Sequence, residues 1–257
     1  MSGDPVIAAV AGLFGALIGS FLNVCIVRLP AEQSVVQPRS RCPKCGALIA
    51  WYDNVPVVSW LLLRARCRNC GERISAIYPA VELATAALFA WMVWRYGFGL
   101  EALRGAVFGT LLLGIAMTDA RAYIIPDEFT LGGLVAGLLL SVAGGMGGVL
   151  QAVLGAAVGF VLLWVVGAVG TWAFKEEAMG GGDVKMMAMV GAFLGWQGVL
   201  LTVFLGALAG ALIFVPLSLL GRKKLVPFGV FLALGAAITY LVGPALVAWY
   251  RRYVGLA

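Results

Sequence analysis

The stretch "VLQAVLGAAVGFVLLWVVGAVGTWAF", residues 149–174, contains no charged side chain. An α-helix needs about 20 apolar residues to cross the hydrocarbon core of a bilayer, which is roughly 30 Å thick, so this stretch is long enough to span it. The chain soon continues with "GGGDVK", residues 180–185, which places an aspartate behind three glycines. The first stretch predicts a transmembrane helix, and the second marks a candidate functional site.

The rest of the chain repeats the apolar pattern. Of its 257 residues, 62% are hydrophobic and 12% are charged, which is far from the composition of a soluble domain. The sequence therefore predicts an all-α polytopic membrane protein with about eight transmembrane helices. We place these at residues 5–27, 79–96, 102–118, 129–144, 149–173, 186–197, 199–220 and 228–250. The stretch 186–220 also fits one broken helix pair.

The basic residues predict the orientation of these helices. Eight crossings put the loops 28–78, 119–128, 174–185 and 221–227 on one side, together with 14 of the 18 lysines and arginines. The positive-inside rule makes that side cytoplasmic. This distribution accounts for the net charge of +6, so no nucleic-acid partner is expected.

A polar segment interrupts the apolar pattern after the first helix. Residues 28–78 hold eight basic and three acidic residues and two CxxC pairs separated by 21 residues. The pairs consist of Cys42, Cys45, Cys67 and Cys70. We expect a first transmembrane helix at 1–27, a small cytoplasmic zinc-ribbon-like domain at 28–78 and a membrane-embedded core at 79–257.

The spacing of the four cysteines matches a structural zinc site with four thiolate ligands. Two disulfides or four unrelated thiols are the alternatives, and a cytoplasmic location disfavours disulfides. A segment this small buries little core, whereas a structural zinc contributes about 10–16 kcal/mol to folding. A closed site of four sulfurs leaves no open position, so we expect no chemistry at the metal.

Two aspartates are the candidates for chemistry. The sequence has no histidine, which excludes Ser-His-Asp, Cys-His and HExxH mechanisms. Asp119 and Asp183 each follow an inward crossing, so both should lie at the cytoplasmic membrane boundary and can meet. Two carboxylates about 4 Å apart repel by about 4 kcal/mol at an effective dielectric of 20, so the pair shares one proton. The ionised member then takes a proton from water, and the protonated member polarises a peptide carbonyl. For Asp119, a simple interface charge is the alternative.

Helix capping is the alternative role for two of the acidic residues. Asp183 and Asp127 are both placed where they could cap the helix that follows. For Asp127 we favour the cap. A cap at Asp183 would not need three glycines, whereas Gly180, Gly181 and Gly182 would let the backbone approach a partner or a peptide closely.

Six motifs occur in a fixed order along the chain. They are "GSFLNVCIVRLP" (19–30), the two CxxC pairs, "YPAVEL" (78–83), "TDARAYIIPD" (118–127), "GGGDVK" (180–185) and "PFGVFLALG" (227–235). Together they resemble the type IV prepilin peptidase family, which processes prepilins and the pseudopilins of type II secretion. The GxGD element alone is less specific, since presenilin-type proteases share it.

The resemblance implies an aspartic endopeptidase of the bacterial inner membrane. Members of the family remove the basic leader of prepilins or pseudopilins after a glycine, on the cytoplasmic side. Many then N-methylate the new N-terminal residue with S-adenosylmethionine, and the cysteine pairs occur in these bifunctional members. The two catalytic aspartates of the family correspond to Asp119 and Asp183, whereas Asp127 matches a motif aspartate to which we assign no catalytic role.

The site for the methyl donor is harder to predict. No GxGxxG follows a strand, so a Rossmann-type site is not expected. Asn23, Arg28 and Glu82 are the candidate cofactor-binding residues, although Glu82 could instead pair with Arg28 or Arg73. An ion- or proton-coupled transporter using the same carboxylates is the alternative function, and a structural assembly protein is a third.

Overall fold

The computed structural model describes residues 3–219 and 227–255, and this part of the chain is helical, without a β-strand. Its eight α-helices are α1 (Pro5–Arg28), α2 (Val58–Leu62), α3 (Ile77–Tyr96), α4 (Leu100–Ala122), α5 (Asp127–Ser141), α6 (Gly145–Phe174), α7 (Gly181–Leu219) and α8 (Phe228–Tyr253). The predicted all-α fold is confirmed. Apart from Pro227, the predicted basic loop 221–227 lies outside the described residues.

Six helical stretches in the described part are long and apolar enough to cross a membrane. Two of the six are interrupted. The stretch Asp127–Phe174 contains a 3-10 turn at Val142–Gly144, followed by Gly145 with φ 64°. Helix α7 has a kink at Gly195, where φ is 70° and ψ is 175°. The first break lies next to the predicted gap between residues 144 and 149. The second, at Gly195, lies next to the predicted boundary at 197–199, within the stretch that also fits one broken helix pair.

The first of two compact units is Met1–Thr110, and α1 packs against α3 within it. Helix α1 begins where the side chain of Asp4 accepts a hydrogen bond of 2.8 Å from the N–H of Val6. A Cβ on Gly15 would lie 2.6 Å from the carbonyl oxygen of Thr85, so the two backbones approach closely. Small residues at helix contacts are what membrane proteins use for this packing.

The polar segment between α1 and α3 has little regular secondary structure. Besides α2 it contains short 3-10 turns and two isolated bridges, one from Arg41 to Leu48 and one from Arg66 to Arg73. Each bridge flanks one of the cysteine pairs. The four cysteines are therefore the feature around which this segment is organised.

The second compact unit is Leu111–Ala257, which holds the end of α4 and helices α5 to α8. Its core is formed mainly by α7 and α8, whose most deeply buried residues include Met186, Met187, Met189, Val190, Val199 and Leu232. The buried face of α7 begins at Val184, inside "GGGDVK". The end of α4 and the starts of α7 and α8 supply the residues of the candidate site described next.

Candidate active site and metal centre

Asp119 lies in the last turn of α4, and only 5% of its surface is exposed. The backbone N–H of Val230, in the first turn of α8, donates a hydrogen bond of 3.0 Å to its Oδ2 atom. A Cβ on Gly229 would lie 2.9 Å from the same oxygen, so the carboxylate occupies the space that a side chain would fill. The start of α8 therefore fixes the orientation of Asp119.

Asp183 is the third residue of α7, inside its first turn. It does not precede the helix, so the structure does not support the N-cap alternative. Its Oδ1 atom is buried, and within residues 3–219 and 227–255 no group forms a hydrogen bond to that atom. Asp183 follows Gly182 and Asp119 lies against Gly229, and a Cβ on either glycine would meet the side chain of Ile125. The two predicted aspartates are thus neighbours in one compact unit.

Ile125 occupies the space between the two helix starts that carry this site. A Cβ on Gly182, directly before Asp183, would lie 2.9 Å from the Cβ of Ile125. A Cβ on Gly229, directly beside Asp119, would lie 2.7 Å from the Cδ1 of Ile125. One side chain therefore contacts the backbone next to each aspartate.

The three glycines before Asp183 have different surroundings. Gly182 packs against Ile125, whereas a Cβ on Gly181 would meet no atom of the described residues within 4 Å. A Cβ on Gly180 would lie 3.4 Å from Oδ2 of Asp183, an ordinary contact distance. Among the described residues, close packing therefore requires glycine at Gly182, and Gly181 leaves open space in the turn that carries the aspartate.

Asp127 is the first residue of α5 and does not cap it. Pro126 occupies the N-cap position and forms no side-chain capping bond, so the predicted cap is wrong. Both carboxylate oxygens of Asp127 instead accept hydrogen bonds from Nζ of Lys185, at 2.8 and 2.7 Å. Because α5 begins at Asp127 itself, this residue is not at the N-cap position. Its carboxylate forms an ion pair with Lys185 instead.

The two aspartates have the features that acid–base chemistry on a peptide bond requires. Asp119 is held by a backbone N–H, whereas one oxygen of Asp183 is buried without a partner in the part of the chain that the structure describes. Leaving a buried acceptor unsatisfied is costly, so such an atom is where a water or a substrate group would bind. A fixed carboxylate beside an unsatisfied one suits the activation of water against a carbonyl.

The four predicted cysteines form one cluster. The Sγ atoms of Cys42, Cys45, Cys67 and Cys70 all lie within 4.8 Å of one another and could hold a metal ion. The Sγ atoms of Cys42 and Cys70 are 3.8 Å apart. A tetrahedron with Zn–S bonds of 2.3 Å has edges of about 3.8 Å, whereas a disulfide needs about 2.05 Å. All four cysteines are free thiols here.

Both cysteine pairs adopt the same turn. The N–H of Gly46 donates to the carbonyl oxygen of Cys42, and the N–H of Gly71 donates to that of Cys67, each at 2.9 Å. The two glycines have φ values of 69° and 70°, a left-handed conformation that favours glycine. The glycine after each CxxC is therefore required by the backbone conformation of the turn.

The turn also activates a thiol. The backbone N–H of Ala47, followed by the side-chain amide of Asn69, lowers the pKa of the Cys45 thiol to about 6. The Nδ2 atom of Asn69 lies 3.6 Å from the sulfur. The thiolate is the form of cysteine that binds metals. The metal site itself is indicated by the distances among the four sulfurs.

Two ion pairs brace the cysteine turns. Lys44, inside the first CxxC, contacts Glu72 at 2.5 Å. Arg68, inside the second, contacts both carboxylate oxygens of Asp53, at 2.7 and 2.6 Å. The hydrogen bonds from Arg68 hold the pKa of Asp53 below its usual value. Both basic residues within the CxxC pairs therefore have acidic partners.

Two of the three candidate cofactor residues bind backbone. The Nδ2 atom of Asn23 donates to the carbonyl oxygen of Tyr78 at 3.0 Å. Oε2 of the buried Glu82 accepts a hydrogen bond of 2.8 Å from the N–H of Val57. Among the described residues, Glu82 forms no ion pair with either of the arginines considered as its partner. Glu82 thus attaches the cysteine segment to α3.

Arg28, the third candidate, lines a cavity of about 390 Å³ within the first unit. The cavity lies between the last turns of α1 and the cysteine segment, which contributes Arg39, Trp51 and Asn54. One guanidinium nitrogen of Arg28 donates to the carbonyl oxygen of Ser34 at 2.9 Å. The cavity therefore combines cations, an indole ring and an amide at the end of a transmembrane helix.

Comparison with known proteins decides the family. Residues 13–96 match the bacterial peptidase A24 N-terminal domain, and residues 106–215 match the type IV leader peptidase family. A prepilin leader peptidase/N-methyltransferase of Aeromonas hydrophila is 37% identical over 93% of this chain and 91% of its own length. The chain belongs to the type IV leader peptidase family.

Other members of the family give the same result. A prepilin leader peptidase/N-methyltransferase of Myxococcus xanthus is 44% identical over 81% of this chain and 62% of its own length. One of Xanthomonas campestris is 37% identical over 96% of this chain and 95% of its own length. No solved structure shows significant similarity to the chain. Membership of this family supports a membrane-bound protease and not the transporter alternative.

Sequence reasoning missed several residues around the aspartates. Gly229 and Val230 lie in the motif "PFGVFLALG" (227–235), for which the sequence suggests no role. Nothing in the sequence places them beside Asp119. Ile125 looks like any apolar residue. Lys185 is adjacent to the GxGD element, but its partner is 58 positions away in the chain. The sequence signal for this contact is the negative charge of Asp127 in the Pro-Asp pair, which is opposite to the charge of Lys185.

Proposed function

We propose that this chain is the prepilin peptidase of a bacterial inner membrane, with Asp119 and Asp183 as its catalytic residues. It removes the basic leader of type IV prepilins or pseudopilins after a glycine, at the cytoplasmic face. The observation that carries this proposal is the buried Oδ1 of Asp183, which has no hydrogen-bond partner among the described residues, in the same site as the hydrogen-bonded Asp119. The peptidase core is assigned to residues 79–257.

The two aspartates divide the chemistry between them. The ionised carboxylate takes a proton from a water molecule, and the water oxygen attacks the carbonyl carbon of the scissile peptide bond. The protonated carboxyl group donates its proton to the carbonyl oxygen. When the C–N bond breaks, the pair gives a proton to the leaving amine, and one hydroxyl group of the tetrahedral intermediate returns its proton to the pair as the new carboxyl group forms, so the pair is again singly protonated. The scissile bond must be extended, because a helix engages its carbonyl groups in internal hydrogen bonds.

The open space at Gly180 and Gly181 is where the extended peptide approaches. A Cβ on Gly181 would meet no atom of the described residues within 4 Å, which would let the peptide reach the aspartates along that backbone. The apolar segment of the prepilin enters laterally from the bilayer, since the aspartates lie at the ends of transmembrane helices. Its basic leader stays on the cytoplasmic side, near the exposed Glu176 and Glu177.

The cysteine cluster holds a structural zinc ion. The thiolate set, its spacing and the sulfur distance all fit a tetrahedral Zn²⁺ site, and residues 28–78 form the small domain around it. Such an ion contributes about 10–16 kcal/mol to the folding of a segment with little core of its own. With four sulfur ligands the metal has no open coordination position, so its role is to fix the segment.

The chain also N-methylates the new N-terminus, with S-adenosylmethionine as the methyl donor. Support comes from the relatives, which are named leader peptidase/N-methyltransferases. Of the candidate residues Asn23, Arg28 and Glu82, the first and last are engaged by backbone groups. Arg28 lines the cavity beside Trp51, and its guanidinium suits a carboxylate such as that of the donor. The donor itself supplies the methyl group.

Purified chain incubated with a synthetic prepilin peptide and S-adenosylmethionine tests this proposal. We expect mass spectrometry to show cleavage after a glycine, followed by the addition of one methyl group to the mature N-terminus. Failure of folded, zinc-loaded protein to cleave any prepilin peptide would contradict the proposed function. Cleavage without methylation would contradict only the second activity.

A further inference from the structure

We propose that residues 125–127, together with Lys185, are a positioning element that holds Asp183 in register for catalysis. The inference rests on the proposed function, because the placement of Asp183 matters only if that residue is catalytic. Two independent contacts carry it, one on each side of Asp183 along α7. These are the ion pair between Asp127 and Lys185 and the packing of Ile125 against Gly182.

The ion pair joins the starts of two helices. Nζ of Lys185 lies 2.8 and 2.7 Å from the two carboxylate oxygens of Asp127. Asp127 is the first residue of α5, and Lys185 follows Asp183 by two positions in α7. Because both oxygens contact one ammonium group, the pair limits sliding of one helix start past the other.

Global stability does not explain this pair. The side chains of Lys185 and Asp127 are 39% and 52% exposed, and exposed ion pairs contribute little to stability. A cation near the N-terminus of α7 is also disfavoured by the helix dipole, so Lys185 is not there for the sake of its own helix. The pair is therefore better explained by what it positions, which is the turn that carries Asp183.

Packing on the other side of Asp183 uses the same short segment. Ile125 contacts the backbone at Gly182, and its Cδ1 atom also contacts Gly229 beside Asp119. Gly182 and Lys185 lie on either side of Asp183 in α7. Gly182 packs against Ile125, and Lys185 binds Asp127. Since no group within 3–219 and 227–255 forms a hydrogen bond to Oδ1 of Asp183, the backbone sets where that carboxylate lies.

This arrangement predicts a specific kinetic signature. Loosening either contact displaces a catalytic group but leaves the surface that binds the leader intact. The chemical step depends steeply on such placement, and an error of about 1 Å can cost about 100-fold. We therefore expect kcat to fall while KM stays close to its original value.

The experiment measures kcat and KM for a prepilin peptide with the full-length chain. Lys185→Met and Asp127→Asn should each lower kcat by about 10- to 100-fold. The double variant should lose no more than the single variants, because the two residues act as one unit. Lys185→Arg, which keeps a cation, should lose less than Lys185→Met. The matched control is Lys175→Met, which removes an exposed lysine from the same unit.

A separate variant tests the packing contact without changing charge. Ile125→Ala should also lower kcat with little change in KM. If Lys185→Met and Asp127→Asn do not accumulate as folded protein, Ile125→Ala alone tests the proposal. Wild-type kcat in Lys185→Met and in Ile125→Ala would overturn the proposal, as would a loss confined to KM. If Asp183→Asn is inactive in the same assay while these variants are normal, the positioning element is wrong and the proposed function stands. If Asp183→Asn cleaves normally, the proposed function itself is wrong.

Discussion

At the scale of single residues, the arrangement of the aspartates depends on two positions without side chains. Gly229 leaves room for the carboxylate of Asp119, and Gly182 leaves room for Ile125 beside Asp183. Each glycine thus determines where one carboxylate lies. Both are at the first turns of helices, where a small backbone shift moves a functional group directly.

The substitution Gly229→Ala tests the first of these positions. Its Cβ would lie 2.9 Å from Oδ2 of Asp119, so the carboxylate must shift. We expect kcat for prepilin cleavage to fall about 100-fold, the effect of a misplacement of about 1 Å. The matched control is Gly132→Ala in α5, where a Cβ would meet no atom within 4 Å in the described part of the chain. Equal kcat values for the two variants would show that Gly229 does not constrain the site.

The substitution Gly181→Val tests whether the open space beside Asp183 receives the peptide. The Cβ of a valine there would meet no atom of the described residues within 4 Å, so the fold and the zinc content should be unchanged. We nevertheless expect cleavage to be lost, because the side chain would occupy the path of the substrate. Measuring cleavage alongside the thermal midpoint separates the two effects. Normal cleavage would mean that the peptide approaches from elsewhere.

At the scale of elements, apolar length was enough to predict most of the helices. The predicted helix at 149–173 corresponds to α6 (Gly145–Phe174), because an apolar run without charges has few alternatives in a bilayer. The prediction ended the third helix at 118, whereas α4 continues to Ala122 and keeps Asp119 inside its last turn. Charge alone suggests that a span has ended, but the backbone can continue as a helix.

Contacts between elements were not predictable in the same way. The two aspartates were paired from parity, since both follow inward crossings, and parity needs only the number of helices. The contacts of Ile125 with two helix starts, and the ion pair of Asp127 with Lys185, depend on how those helices cross. Sequence patterns report which face of an element is apolar, but not which element it faces.

The connection between α6 and α7 provides a test of leader binding. Glu176 and Glu177 are exposed there, a few residues before the glycine run. Replacing both with glutamine should raise KM for a peptide with a basic leader, and the effect should be larger at low salt because exposed charges are screened. The control is Glu101→Gln, an exposed glutamate at the start of α4. An unchanged KM at low ionic strength would remove the two glutamates from the substrate site.

At the scale of the whole molecule, the two candidate sites lie in different compact units. The four cysteines and the cavity at Arg28 belong to Met1–Thr110, whereas both aspartates belong to Leu111–Ala257. The two family matches, to residues 13–96 and 106–215, follow the same order. This separation suits a chain in which one unit cleaves the substrate and the other modifies it.

Loss of the metal should therefore affect the two activities unequally. We expect the protein to purify with about one zinc per chain, and Cys67→Ser to lower both the zinc content and methylation more than cleavage. The control is Cys25→Ala, a buried cysteine of α1 outside the cluster. Elemental analysis together with mass spectrometry of the product measures all three quantities. Freshly reduced protein without zinc, or cleavage lost to the same extent as methylation, would contradict this division.

The central claim is that Asp119 and Asp183 share one proton and cleave the leader together. The most direct test is the mass of a prepilin after incubation with wild-type chain, with Asp119→Asn and with Asp183→Asn. Asparagine keeps the shape of each side chain but cannot exchange the proton, so both variants should remain folded and zinc-loaded and leave the leader attached. Removal of the leader at the wild-type rate by either folded variant would contradict the account.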